Sequence, residues 1–391
     1  MPRAIALLAA ASALLTAVLA LLAFGAPPAT ASERRVPEGW LGVTVDGPVG
    51  AADDAEWNLM ATSGVESVRA ALRWYEMQPY SSATEVPPED AARFRNAGGV
   101  PTDFSGFDAI VAAASQRGLA ILPVVQSTAG WAARRQGDTT SPPRNQATFR
   151  RFLTALVARY GPRGSLWAER PELPRIPIRE WQIWNEPNIT RYWSTQPFAR
   201  PFVRLLRTAH RALHAADRGA TVVLAGLPNV SWEALRSIYR AGGRGSFDAV
   251  ALHPYTGTPS LVMRLVRSAR RVMSEYGDRR LPIWVTELSW PAGRDKLPRP
   301  TGFNVTEAEQ PRRLSKTLKL LFAARNRQRI ERVFWYTWLS TEAGHSAFDW
   351  SGLRRLRAGS AVDAPALATL RRWARRLQGC AKTTDARQCA R

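Results

Sequence analysis

The chain reads as an α/β protein, a single-domain (β/α)₈ barrel of the TIM type. Three observations lead there: short β-rich runs alternate with longer amphipathic stretches, eight such pairs can be counted, and no linker, repeat or low-complexity tract divides the 391 residues. The length suits one barrel, since such barrels run from about 250 to over 400 residues as one unit. With 45% hydrophobic and 22% charged residues, there is ample apolar side chain for a core, and disorder is not expected.

In chain order, strands are expected near Leu41–Asp46, Val65–Leu72, Ala120–Gln126, Glu180–Asn185, Thr221–Gly226, Ala249–His253, Ile283–Leu288 and Val333–Leu339. Helical periodicity fills the intervals at Ala52–Thr62, Phe107–Gln116, Gln146–Tyr160, Pro201–Ala216, Trp232–Ala241, Leu261–Tyr276, Glu307–Arg327 and Ala364–Leu377. Gly118, Gly161, Gly242 and Gly277 follow four of these helices, where a left-handed closing residue is expected. Two long connections on the strand-to-helix side, Ser127–Arg144 and Pro291–Val305, suggest a built-up cleft wall.

Outside the barrel, expected over residues 32–378, the first 31 residues read as an export signal. Arg3 precedes an apolar run from Ala4 to Ala26, and Ala29-Thr30-Ala31 offers a small-residue cleavage site. Cleavage near Ser32 gives a secreted protein; the run is also long enough to stay as an N-terminal anchor. The tail 379–391 holds the two cysteines, Cys380 and Cys389, too few for a metal site but able to close a small loop in an oxidising compartment.

The net charge of +22 is nearly all arginine, the lysines being Lys296, Lys316, Lys319 and Lys382. Such a field suits anionic wall polymers or lipid head groups. Nucleic acid is not expected, because the arginines (Arg204, Arg207, Arg211, Arg267, Arg270, Arg271, Arg371, Arg372) are scattered over helices, as on a solvated outer face. His210 and His214 stand four apart on one helix, but no glutamate follows His210 and no third ligand is evident in sequence, so no metal is expected. His345, after strand eight, is either a cleft contact or a plain loop residue. Asn188, Asn229 and Asn304 open short glycosylation-type patterns that arise easily by chance.

The chemistry concentrates at two strand ends. Trp181-Gln182-Ile183-Trp184-Asn185-Glu186-Pro187-Asn188 is a hydrophobic strand ending in an amide, a carboxylate and a proline, and Pro282-Ile283-Trp284-Val285-Thr286-Glu287 repeats the design. Two carboxylates on the fourth and seventh strands face each other across a barrel mouth. Acetal hydrolysis needs such a pair, one to protonate the leaving oxygen and one to attack or stabilise the anomeric carbon.

On these motifs the whole chain after the signal resembles the clan A glycoside hydrolases. The resemblance implies Glu186 as acid/base and Glu287 as nucleophile in retaining hydrolysis of a β-linked glycoside, without metal or organic cofactor, by a monomer. It further implies Asn185 at the sugar 2-hydroxyl, Arg69 keeping the nucleophile ionised, and His253 and Tyr255 beside it. Trp335 and Trp338, on opposite pleat faces, are the candidates for the aromatic floor, with Trp131 and Trp193 as further cleft candidates. Ala71 and Arg73 depart from the family pattern after the arginine, which bears on substrate contacts. The alternative is a non-catalytic carbohydrate-binding or wall-associated barrel, which would bind glycan without releasing sugar.

Overall fold

The computed structural model describes residues 34–342 and 346–380. Eight parallel strands carry the architecture: β1 (Leu41–Val45), β2 (Ser67–Arg73), β3 (Ala120–Gln126), β4 (Glu180–Ile183), β5 (Thr221–Val223, resumed at Leu227–Pro228), β6 (Val250–His253), β7 (Ile283–Val285) and β8 (Ile330–Trp335). From the first part of β5 the hydrogen-bonded order runs β4, β3, β2, β1, β8, β7, β6 and back to the second part of β5. Glu180 pairs with Thr221 on one side, Leu227 with Leu252 on the other, and a bridge joins Val223 to Ala249, so β5 closes the ring.

Among the described residues the eight long helices are α1 (Asp54–Thr62), α2 (Ser105–Ser115), α3 (Gln146–Tyr160), α4 (Ala199–Ala216), α5 (Ser231–Arg240), α6 (Pro259–Glu275), α7 (Gln310–Gln328) and α8 (Pro365–Gln378), with single helical turns at Trp74–Met77 and Ser165–Glu169. Each hides one stripe. On α4 the buried set is Phe202, Val203, Leu205, Leu206, Ala209, Ala212 and Leu213, at helical spacing, while Arg204, Arg207 and Arg211 face solvent. Arg270 does not follow that outward pattern. It donates to the carbonyls of Arg279, Leu281 and Gln328, and burial lowers its pKa to about 10.

Strand alternation sorts the interior. Leu122, Val223, Ala249, Ala251, Trp284 and Phe334 form a small cluster inside the barrel, separate from the large core between strands and helices. Phe334 and Trp284 therefore define which pleat face of β8 and β7 looks inward. Below them, near the strand starts, Arg332 on β8 donates to Glu180 on β4 at 2.6 Å.

Several boundaries differ from expectation. β8 begins at Ile330, directly after Arg329 turns left-handed, and ends at Trp335, so it lies earlier than the Val333–Leu339 run. α7 starts at Gln310 because Thr306 and Glu309 first close a turn, the Glu309 carboxylate accepting the Thr306 N–H at 3.0 Å. Gly118, Gly242 and Gly277 are left-handed, but Gly161 is not. A Cβ at Gly161 would stand 2.6 Å from the Val157 carbonyl, so closeness and not handedness requires glycine there. Two additions have no counterpart in the alternating pattern: a hairpin, Phe94–Ala97 with Val100–Asp103, and a small sheet of Leu339–Ser340, Arg354–Arg357 and Ser360–Asp363.

The export segment, Cys389 and His345 lie outside the described residues. Cys380 is disulfide-bonded. Among the described residues, no helix is long and apolar enough to cross a membrane.

Candidate active site

At the carboxyl end of the barrel a cleft of about 440 Å³ opens, and Arg69, Asn185, Glu186, Tyr255 and Glu287 all line it. Glu186 follows β4 where the backbone is forced: Trp184 has φ 70° and Glu186 φ 44°. Left-handed backbone at non-glycine residues costs on the order of 1–3 kcal/mol and persists only where its surroundings hold it. Here Trp184 N–H donates to Val125 O at 2.9 Å and Glu186 N–H to Gly226 O at 3.2 Å, so strands on both sides grip the turn. Gly226 lies in the break of β5, where any Cβ would collide with the His253 ring.

Arg69, only 4% exposed, organises the floor. Its guanidinium donates to Glu287 Oε1 at 2.6 Å, Gln182 Oε1 at 2.7 Å and Asn185 Oδ1 at 2.7 Å. Tyr255 donates its hydroxyl to Glu287 Oε2 at 2.8 Å, and burial keeps that phenol protonated by raising its pKa. Glu287 thus accepts a charge-assisted bond on one oxygen and a phenol bond on the other.

Glu186 lives in different surroundings. It is 7% exposed, and burial pushes its pKa up to about 7 against the opposing charge of Arg69. Its one close side-chain partner is His253, with Nδ1 2.7 Å from Glu186 Oε1 and Nε2 3.0 Å from Thr286 Oγ1. Burial pushes the imidazole pKa down to about 3, a shift that the Glu287 charge opposes and Arg69 reinforces, so His253 is neutral. One oxygen of each glutamate and one His253 nitrogen lie within 4.8 Å of one another.

Compared as a sequence, the chain matches no family model and no curated protein. Compared as a structure, it is similar to a family 39 glycoside hydrolase from Bacteroides cellulosilyticus, with TM-score 0.61 and 19% identity, over 89% of this chain and 65% of that one. A monomeric beta-xylosidase from Caulobacter crescentus gives TM-score 0.58 and 17% identity over 88% of this chain and 69% of that one. A family 5 enzyme from Bifidobacterium longum, in complex with Manb1-4GlcNAc, gives 0.60 and 14% over 86% and 78%. The fold is that of the clan A glycoside hydrolases. The chain spans just under two thirds of the length of the family 39 protein.

Within this barrel, the structure brings together Glu186, Glu287, Asn185, Arg69, His253 and Tyr255, and it removes the tryptophans. Neither Trp335 nor Trp338 lines the cleft. Because Phe334 points into the barrel, Trp335 points out, its indole donating to Ser351 O, while Trp338 lies beyond the strand with its indole bonded to Glu56 on α1. Tyr336 takes the inward position and donates to Asp46 Oδ2 at 2.9 Å. Trp131 packs edge-on against Trp74 and donates to Gln78 O, and Trp193 is fully buried between Trp184 and Phe202. No tryptophan among the described residues lines the cleft. Magnitudes explain this: a buried indole removes about 200 Å² from water, about 5 kcal/mol, against about 0.5–1.5 kcal/mol for one aromatic contact.

The aromatic wall is instead Tyr255, Phe303, Tyr336 and Phe348, with Phe348 5.0 Å from Tyr255, 5.7 Å from Phe303 and 5.5 Å from Tyr336 between ring centres. Phe303 comes from the proline-rich connection 291–305, as a cleft wall should. Ala71 and Arg73 both reach the cleft. Gln182 and Thr286, not singled out in the sequence, lie on the inward faces of their segments, and period-two counting from Trp284 finds Thr286. Asn304 is no glycan acceptor, being 2% exposed with its amide oxygen bonded to Thr301.

Proposed function

We propose that the protein is a retaining glycoside hydrolase acting on β-linked glycosides. The observation that carries the reading is the pair of carboxylates with oxygens inside 4.8 Å of one another on one cleft. Double displacement needs carboxyl groups about 5–5.5 Å apart, and a separation of about 6.5–9.5 Å leaves room for the water of an inverting enzyme. The reading also agrees with the names of similar structures, one a beta-xylosidase and one bound to a Manb1-4GlcNAc disaccharide.

In the first step a Glu287 oxygen attacks the anomeric carbon, the bond to the leaving oxygen breaks, and Glu186 gives that oxygen its proton. In the second, Glu186 takes a proton from water, whose oxygen displaces Glu287 and restores the starting configuration. Arg69 and Tyr255 position Glu287 through one bond to each of its oxygens. Asn185 presents its amide nitrogen to the sugar, since its oxygen is engaged by Arg69. Export is part of this reading, drawn from the N-terminal apolar run, and N-terminal sequencing of the mature protein tests it.

The deciding experiment replaces Glu287 with Gly and supplies azide with an activated aryl β-glycoside that the parent cleaves. The expected product is a glycosyl azide of inverted configuration, because azide now performs the only displacement. Glycan binding without sugar release by the parent would identify a carbohydrate-binding barrel instead.

A further inference from the structure

At the opposite end of the barrel, the structure brings a third residue to the two histidines of α4. His210 and His214 project from one side of the helix with ring centres 4.3 Å apart. Both turn Nε2 toward the Asp248 carboxylate, at 3.4 Å from Oδ1 and 2.9 Å from Oδ2. Asp248 lies in the turn entering β6 and is fixed to β5 in both directions. Its Oδ2 accepts the Val222 N–H at 2.8 Å, and its own N–H donates to Val222 O at 2.8 Å. Burial raises the Asp248 pKa, but bonds from His210, the Val222 amide and His214 outweigh it and leave the carboxyl below its ordinary value.

We propose that His210, His214 and Asp248 bind one Zn²⁺, pinning α4 to the chain that enters β6. Zinc held tetrahedrally at about 2.0–2.2 Å from nitrogen and oxygen spaces its ligands about 3.4 Å apart along each edge. The His210 separation from Oδ1, 3.4 Å, matches that edge, the His214 separation from Oδ2, 2.9 Å, must open by about half an ångström, and one donor atom from each residue lies within 4.8 Å of the others. In the metal-free protein each Nε2–H can donate to the carboxylate, and a cation would replace those two protons with direct bonds to the same three side chains. The donor set of two imidazoles and a carboxylate suits zinc among late divalent metals and gives magnesium no advantage. Because the chain carries a net charge of +22, affinity must come from these direct bonds and not from the general field. Three protein ligands leave one position for water. The site stands at the strand starts, away from Glu186 and Glu287, so its role is a clamp.

The test uses untagged full-length protein freed of metal by a chelator. Calorimetric titration with Zn²⁺ should give saturable one-to-one binding that raises the Tm, with no binding of Mg²⁺, and Co²⁺ should give the visible absorption of a tetrahedral site. The double variant His210→Ala/His214→Ala, and separately Asp248→Asn, should weaken Zn²⁺ binding by about a hundredfold or more, with hydrolysis unchanged. Absence of both one-to-one Zn²⁺ binding and the Co²⁺ spectrum in the parent overturns the proposal whatever the variants do. So does Zn²⁺ affinity that persists in the double variant and disappears in Glu287→Gln, which would place the metal in the cleft.

Discussion

Glu180 and Glu186 lie six positions apart on one segment of chain, at opposite ends of the barrel, and they live under opposite rules. At the bottom, Glu180 meets the Arg332 guanidinium at 2.6 Å, charge against charge. At the top, Glu186 meets a neutral imidazole, and the nearby arginine is committed to Glu287, so burial wins and the carboxyl holds its proton to about pH 7. The contrast teaches that a buried carboxylate's behaviour follows from how its neighbours are already engaged. Arginine is abundant throughout this chain, yet the one beside Glu186 is spent elsewhere.

The comparison can be broken most severely at Glu287. Glu287→Gln should lower kcat/KM on the order of 10⁴-fold or more, read by initial rates, since the amide cannot form the glycosyl ester. Glu186→Gln should cost about 10²–10⁴-fold, the smaller loss with phenolate leaving groups that need no proton. The parent should lose activity as pH rises through about 7, where Glu186 gives up its proton, and the variant should lack that basic limb. Stability sharpens the contrast through opposite signs. A carboxyl raised from 4.5 to about 7 makes the native state bind more protons than the unfolded chain in that window, so native stability falls as pH rises across it. Denaturant melts at pH 8 should therefore find Glu186→Gln more stable than the parent by about 3 kcal/mol. Glu180→Gln should be less stable by about 1–3 kcal/mol, having left Arg332 without its charge partner. The smallest change is Tyr336→Phe, which removes the bond to Asp46 and should raise KM a few-fold with kcat little altered.

What the sequence made legible follows the same physics. Alternation of strand and helix was strong enough to place all eight barrel strands, and the abrupt polar endings of β4 and β7 marked Glu186 and Glu287, because an acid at the end of an otherwise apolar strand is costly to bury unless it is used. Arg69, Asn185, His253 and Tyr255 came through resemblance, and the structure brings them to one place. The aromatic assignment failed at Trp335 because Phe334 points inward and puts its neighbour on the outer face, and at Trp338 because β8 ends at Trp335, so pleat alternation no longer places a residue three positions on. Phe348 and Asp248 carried no local signal at all. Each depends on a loop's path through space, and Asp248 becomes a partner of His210 and His214 only when β6 is laid beside β5.

Gly226 carries one consequence beyond its own backbone. The His253 imidazole occupies the volume in which a side chain at position 226 would stand, so the setting of Glu186, which His253 touches, is governed by the residue that has nothing to contribute but room. Shifting the acidity of this cleft by design would begin with that missing side chain, on a neighbouring strand, before either glutamate is touched.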